Sequence, residues 1–295
     1  MRLVTSTNLF SKRRDGGLHT PYLESIRRCR QAGFTTLDFS FTEFYFTQTE
    51  LSGNDWEKYV DEIVSESQKL GIIFSQSHLP YNPGYMPEWK SDLEKEDYYK
   101  FARRSALISA RLGVKWMVVH PFTQCKEIEY DDEASVQYNH EFYDSIIELA
   151  LKNGVGIAYE NMIEYPQRRK FSARAEELVM LVDSYKDPRI GVCWDFGHGN
   201  RLYFDQSNSI KTLGNRVVAL HVNDNTGISD LHFLPFMGTV GWEKTLKELK
   251  NNNYAGDFTY EVYGFTKNMP EDLKDIAAKH AYDVGMYCVS YYNSL

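Results

Sequence analysis

The residues best suited to chemistry in this sequence are histidines and carboxylates at the ends of short apolar runs. His78 closes IIFSQSH (72–78), His120 closes WMVVH (116–120) and Glu160 closes GIAYE (156–160). Asp195 closes IGVCWD (190–195), with His198 three residues on. VVALHV (217–222) carries His221, Asp230 and His232 follow in the next loop, and FTYEV (258–262) carries Glu261. The steps from His78 through His120, Glu160, Asp195 and His221 to Glu261 are 42, 40, 35, 26 and 40 residues, close to one such group per strand–helix unit. Imidazoles and carboxylates are ligands of divalent ions. Clustered without a cation, buried carboxylates would repel one another and carry a heavy desolvation cost. A single strand-end histidine is more often a hydrogen-bonded structural group, and a single acid a helix cap or solvated loop residue. Repetition over six successive strands points to a metal.

The elements that must position these groups are also legible. LVTST (3–7) and TLDFSF (36–41) complete a set of eight runs rich in β-branched and aromatic residues. Helical patterns fill the gaps, among them Asp55–Leu70, Lys95–Leu112, His140–Lys152, Ala173–Ser184, Trp242–Asn251 and Asp272–Val289. Several end at glycine, in KLGI, RLGV and KNGV, as a C-cap before the next strand. No Pro/Gly/Ser linker divides the 295 residues. The expectation is a single domain, 1–295, folded as an α/β, (β/α)8 TIM barrel, with an open doubly wound sheet as the alternative. Long loops are expected after the second strand (42–54), the third (80–91) and the seventh (223–241). Such loops build active sites at the C-terminal end of a barrel.

Composition narrows the function classes. The formal net charge is −8, against the basic surface that nucleic acid demands, so no nucleic-acid partner is expected. Cys29, Cys125, Cys193 and Cys288 are scattered, which suits a reducing compartment without disulfides. The N-terminus MRLVTSTNLF lacks a signal peptide's apolar stretch, and no window approaches a membrane span. A cytoplasmic protein, not bound to membrane and open to homo-oligomerisation, is the expectation.

HLPYNP (78–83), VVHP (118–121), AYEN (158–161), WDFGH (194–198), HVNDN (221–225), DLH (230–232) and TYEV (259–262) together resemble the xylose isomerase-like superfamily. It includes ketose 3-epimerases, sugar and inosose isomerases or dehydratases, and endonuclease IV. The resemblance runs the length of the chain. It implies that Glu160, Asp195, His221 and Glu261 hold one divalent ion, manganese first, with cobalt, magnesium or zinc as alternatives. His198 matches a substrate-contacting histidine. His78, His120, Asp230 and His232 would hold substrate hydroxyls or orient ligands. The same residues also meet the endonuclease pattern of ligand types. The arginine that the epimerases carry shortly after the seventh-strand histidine has no counterpart in NDNTGISD (223–230).

The expected activity is that of a metal-dependent sugar isomerase or epimerase working through an enediolate on a ketose or keto-sugar, with Glu160 and Glu261 as the acid–base pair. A lyase or dehydratase on an oxidised sugar, inosose or keto-glycoside is the alternative. An endonuclease or a non-catalytic sugar-binding barrel is less favoured. FTEFYF (41–46), Tyr81, Tyr85, Trp89, Phe233, Phe236 and Trp242 are candidates for facing a sugar ring, against the plain alternative that they pack loops onto the barrel. Arg168, Arg169 and Lys170 are a candidate phosphate clamp, against a solvated face.

Overall fold

Eight parallel strands alternate with helices in a computed structural model that describes residues 1–10, 20–42, 49–82, 89–124, 131–165 and 169–295. The strands are β1 (Leu3–Ser6), β2 (Thr36–Ser40), β3 (Ile73–His78), β4 (Trp116–Val119), β5 (Gly156–Glu160), β6 (Ile190–Asp195), β7 (Val217–His221) and β8 (Phe258–Tyr260). From β1 to β7 each strand pairs with the next, and β1 also pairs with β8. The remaining seam is crossed by a parallel bridge between Val222 and Tyr260. Val222 N donates to the Thr259 carbonyl at 2.7 Å, and Glu261 N donates to the Val222 carbonyl at 3.1 Å. The sheet therefore closes, and the expected (β/α)8 barrel stands in place of an open sheet.

Ten helices are assigned among the described residues: α1 (Tyr22–Ala32), α2 (Trp56–Leu70), α3 (Asp92–Arg111), α4 (Asp132–Lys152), α5 (Ala175–Ser184), α6 (Phe196–Asn200), α7 (Ser207–Leu213), α8 (Trp242–Asn251), α9 (Tyr263–Thr266) and α10 (Glu271–Ser294). Three start or end beyond the ranges read from periodicity, and in two of them a polar cap sets the start. Ser91 accepts from Glu94 N at 3.2 Å while the Glu94 carboxylate accepts from Lys90 N at 2.6 Å, which starts α3 three residues before Lys95. Asp131 accepts from Ala134 N at 2.7 Å and starts α4 eight residues before His140. Helix α10 runs on to Ser294, past Val289. The three glycines read as helix stops, Gly71, Gly113 and Gly154, follow α2, α3 and α4 in the left-handed conformation, at φ 66°, 74° and 82°.

Two layers of packing result. Between strands and helices lies the main core, with Phe34, Phe39, Phe122, Tyr159 and Trp194 fully enclosed. Inside the barrel a smaller cluster forms from Val118, Ala158, Cys193 and Ala219 on β4–β7. These side chains come one pleat before His120, Glu160, Asp195 and His221, so small apolar groups make a dry floor beneath the polar ones. Cys29, Cys193 and Cys288 are buried thiols. Cys125, Glu43–Phe46, Tyr85 and Arg168 lie outside the described residues.

Candidate metal centre

The C-terminal end of the barrel brings every strand-end group together. His78, Glu160, Asp195 and His221 are the last residues of β3, β5, β6 and β7. His120 and Glu261 each sit one residue past their strand, which corrects the longer runs read from sequence. All are buried except Glu261, whose side chain is 13% exposed.

Three groups of side chains present ligand atoms close enough to share an ion: Glu160, Asp195, His221 and Glu261; His78, His120 and Glu160; and His198, Asp230 and His232. In the first, His221 Nδ1 lies 3.1 Å from Glu160 Oε1, 3.5 Å from Glu261 Oε2 and 4.0 Å from Asp195 Oδ2. That buried nitrogen has no hydrogen-bond partner. Three carboxylates around an unpartnered imidazole nitrogen fit a divalent ion, which would engage the nitrogen the fold leaves unsatisfied.

Backbone carbonyls fix the other histidines. A carbonyl oxygen only accepts, so each ring's Nδ1 carries a proton and Nε2 is the nitrogen open to a second proton or to a metal. His78 Nδ1 donates to the Leu79 carbonyl at 2.7 Å, and His120 Nδ1 to the Asn82 carbonyl at 3.0 Å. His198 Nδ1 donates to the Asn161 carbonyl at 2.8 Å, and His232 Nδ1 to the Glu261 carbonyl at 2.9 Å. Their Nε2 atoms face carboxylates: His78 and His120 both at 3.3 Å from Glu160 Oε2, His232 and His198 at 3.0 and 3.7 Å from Asp230 Oδ2.

The electrostatics follow from burial and these contacts. Desolvation pushes the Glu160 carboxyl up, but His221, His120 and His198 outweigh it and hold the group well below its ordinary range. Asp195 is raised to about 6, chiefly by desolvation; His198 opposes the rise, while Glu160 and Glu261 add to it. Burial alone would depress His232, yet Asp230 and Glu261 push it up to about 9.

An asparagine network missed in the sequence reading holds the acids. Asn161 accepts from Asp195 N at 2.6 Å and donates to the Asp195 carbonyl at 2.9 Å. Asn223 Nδ2 donates to Asp195 Oδ2 at 2.7 Å, and Asp195 Oδ1 accepts from His198 N at 2.6 Å. These asparagines stand in the quoted motifs AYEN and HVNDN, so the signal was an amide beside each ligand. Asp38 was also passed over. It is a fully buried acid on β2 whose Oδ1 has no partner, raised by desolvation and opposed by His221 and His78.

Trp242 does not face the site. It is 2% exposed at the start of α8, donates from Nε1 to Asp224 Oδ2 at 2.9 Å and packs against Phe196. Asp224 also accepts from the backbone of Asn225, Phe236 and Val240, so the pair folds the loop after β7. Phe41 is core, and Trp89 packs on Tyr98 and Phe142 of α3 and α4. Tyr81 is 45% exposed and edge-on to His120 at 5.7 Å, and Phe236, 54% exposed, packs on Tyr287 of α10. Arg169 reaches Glu164 and Glu177 at 3.9 and 3.5 Å, and Arg174 pairs with Glu164 at 2.9 Å. Of the candidate phosphate clamp, Arg169 is therefore met by carboxylates. The loop after β7 is tied down from elsewhere: Arg201, beyond α6, donates to the Gly227 carbonyl at 2.9 Å and to that of Ile228.

Residues 26–281 match the family model described as xylose isomerase-like TIM barrel. The chain belongs to that family. An uncharacterized protein, y4fM, of Sinorhizobium fredii is 23% identical over 265 residues, 82% of each chain. The L-ribulose-5-phosphate 3-epimerase UlaE of Escherichia coli O1:K1 is 21% identical over 258 residues, 84% of each chain. Among solved structures, a D-tagatose 3-epimerase-like protein superposes with a TM-score of 0.75 at 17% identity, covering 100% of this chain and 99% of that one. No described helix is long and apolar enough to cross a membrane.

Proposed function

We propose that this xylose isomerase-like protein is a divalent-metal-dependent isomerase or epimerase acting on a ketose or keto-sugar through an enediolate. The observation that carries the reading is the approach of Glu160 and Glu261 to His221 Nδ1, at 3.1 and 3.5 Å, from β5 and the end of β8, which are not neighbours in the barrel. Glu160, Asp195, His221 and Glu261 would hold the ion, with manganese the first expectation. Bound there, a divalent ion supplies Lewis acidity, polarising a carbonyl and stabilising negative charge on oxygen.

The protein's own groups do the proton transfer. Glu160 is kept ionised by its histidines, which suits a base. A carboxylate takes the proton from the carbon next to the substrate carbonyl, and the electron pair of that C–H bond moves into the enediolate. The other glutamic acid returns a proton to the opposite face for epimerisation, or to the neighbouring carbon for isomerisation. Loss of a β-substituent from the same intermediate would make the enzyme a lyase. His198 and Tyr81 stand at the rim to contact sugar hydroxyls and ring faces. The relatives named as epimerases support a small carbohydrate substrate.

The test is turnover of ketoses, inososes and 3-keto-glycosides by manganese-loaded protein in D2O. Product should gain deuterium at the carbon next to the carbonyl. Turnover without that exchange would replace the enediolate with a hydride shift.

A second reading has one specific observation behind it. The flanking groups, His78–His120–Glu160 and His198–Asp230–His232, are built like ligand sets as well as like hydroxyl-binding groups. Two further ions at full occupancy, seen by anomalous scattering, would favour a multi-metal phosphodiesterase over a sugar isomerase.

A further inference from the structure

Helix α10 packs on the outside of the barrel, and one stripe of it is apolar and uncovered. Ile276 is 67% exposed and Tyr287 60% exposed, Leu273 and His280 are exposed as well, and Val284 is half-buried between them. Single apolar residues on a surface need no explanation, but a contiguous row marks a contact. These five share one helical stripe, about 21 Å long from Leu273 to Tyr287. We propose that this stripe is the two-fold interface of a homodimer, with α10 of a second copy of the chain lying antiparallel against it.

The spacing selects the occupant. Counted from His280, Ile276 and Val284 stand four residues to either side, and Leu273 and Tyr287 stand seven. An isologous contact needs a surface that matches itself when turned end for end. An antiparallel copy sets Leu273 against the partner's Tyr287 and Ile276 against the partner's Val284, with the two His280 side chains beside the axis. A partner of unrelated sequence would impose no such symmetry.

Charge agrees with self-association at this face. The chain carries a net charge of −8, so two copies repel where their acidic surfaces meet. Along the stripe the exposed charges cancel within the chain: Lys279 pairs with Asp283, and Asp275 pairs with Arg28 at 2.8 Å. The apolar face also continues off the helix. Met237 and Phe236 are half-exposed in the loop after β7, and the Phe236 ring meets Tyr287 at 5.9 Å. Phe236 holds a left-handed backbone at φ 73°, which costs a non-glycine residue energy. That backbone leaves the ring on the surface, where the partner's Leu273 would cover it.

Sedimentation of the intact chain at about 50 μM should give twice the 34.3 kDa chain mass. Ile276→Glu and Tyr287→Glu, both at exposed positions, should keep the wild-type circular dichroism. Each should raise the dimer Kd by about a hundredfold or more, because a two-fold interface meets every substitution twice. His280→Cys should form an intermolecular disulfide on mild oxidation that the wild-type chain does not. A monomer at every concentration up to about 500 μM, or an assembly whose mass Ile276→Glu leaves unchanged, overturns the interface. A dimer that Ile276→Glu dissociates but His280→Cys fails to cross-link overturns the antiparallel register. Mass and cross-linking do not depend on the metal ligands, so failure here leaves the isomerase reading untouched, and failure of that reading leaves this one.

Discussion

His78 Nε2 lies 3.1 Å from His120 Nε2, and both nitrogens are open to a proton or a metal because each ring's Nδ1 gives its proton to a backbone carbonyl. Glu160 Oε2 stands 3.3 Å from each. Three acceptors facing one another in a buried space repel unless a proton or cation sits among them. The barrel end is therefore built around positive charge, and the metal-free protein must take up protons to stand in for it.

That relation gives the first expected outcome. In the metal-free protein Asp195 is raised to about 6 and His232 to about 9, above the ordinary 3.8 and 6.5. A raised group binds its proton more tightly folded than unfolded, so its contribution is complete below the unfolded value and disappears as pH rises through the folded one. Chelator-treated protein should lose stability between about pH 4 and 9, in denaturant titrations across that range. Manganese should flatten the upper part of the curve. A metal-free stability that climbs from pH 6.5 to 9 would contradict the charge balance described.

Asp195→Ala should abolish tight metal retention. It removes one ligand and also strands Asn223 Nδ2 and His198 N, which the carboxylate accepts. Metal analysis after gentle purification should find about one ion per chain in the wild type and less than about a tenth of that in the variant. Equal metal content in both would remove Asp195 from the ligand set.

Glu160→Gln and Glu261→Gln keep the shape and one oxygen donor but not the basicity. Each should lower kcat by about a hundredfold or more. Deuterium exchange into recovered substrate should survive in one variant and epimerisation in neither. A variant that epimerises at the wild-type rate would exclude that glutamate from proton transfer.

Gly197 is where the site tolerates no side chain. A Cβ there would lie 1.8 Å from Asn223 Oδ1, the amide whose nitrogen holds Asp195. Gly197→Ala should cost about 3 kcal/mol in urea unfolding and weaken metal binding at the same time. Stability within about 0.5 kcal/mol of the wild type would show that Asn223 can move aside.

Trp242→Phe separates packing from substrate contact. Loss of the indole donor to the buried Asp224 carboxylate should cost about 2 kcal/mol of stability. An unchanged midpoint in denaturant would mean that the bond carries nothing.

Much of this protein was written in local sequence. Short runs rich in β-branched and aromatic residues read as strands, and their alternation with helical patterns leaves a barrel as the compact way to bury both faces. His78, Glu160, Asp195 and His221 were legible because each ends a largely apolar run with a side chain of metal-ligand type. Helix starts at Ser91 and Asp131 were written there too, in cap residues rather than in periodicity. Tertiary structure decided what depends on distance between strands. Only closure of the barrel brings Glu160 within reach of His78, His120, His198 and His221 together. Only the fold of the β7–α8 loop turns Trp242 inward onto Asp224 and away from the site.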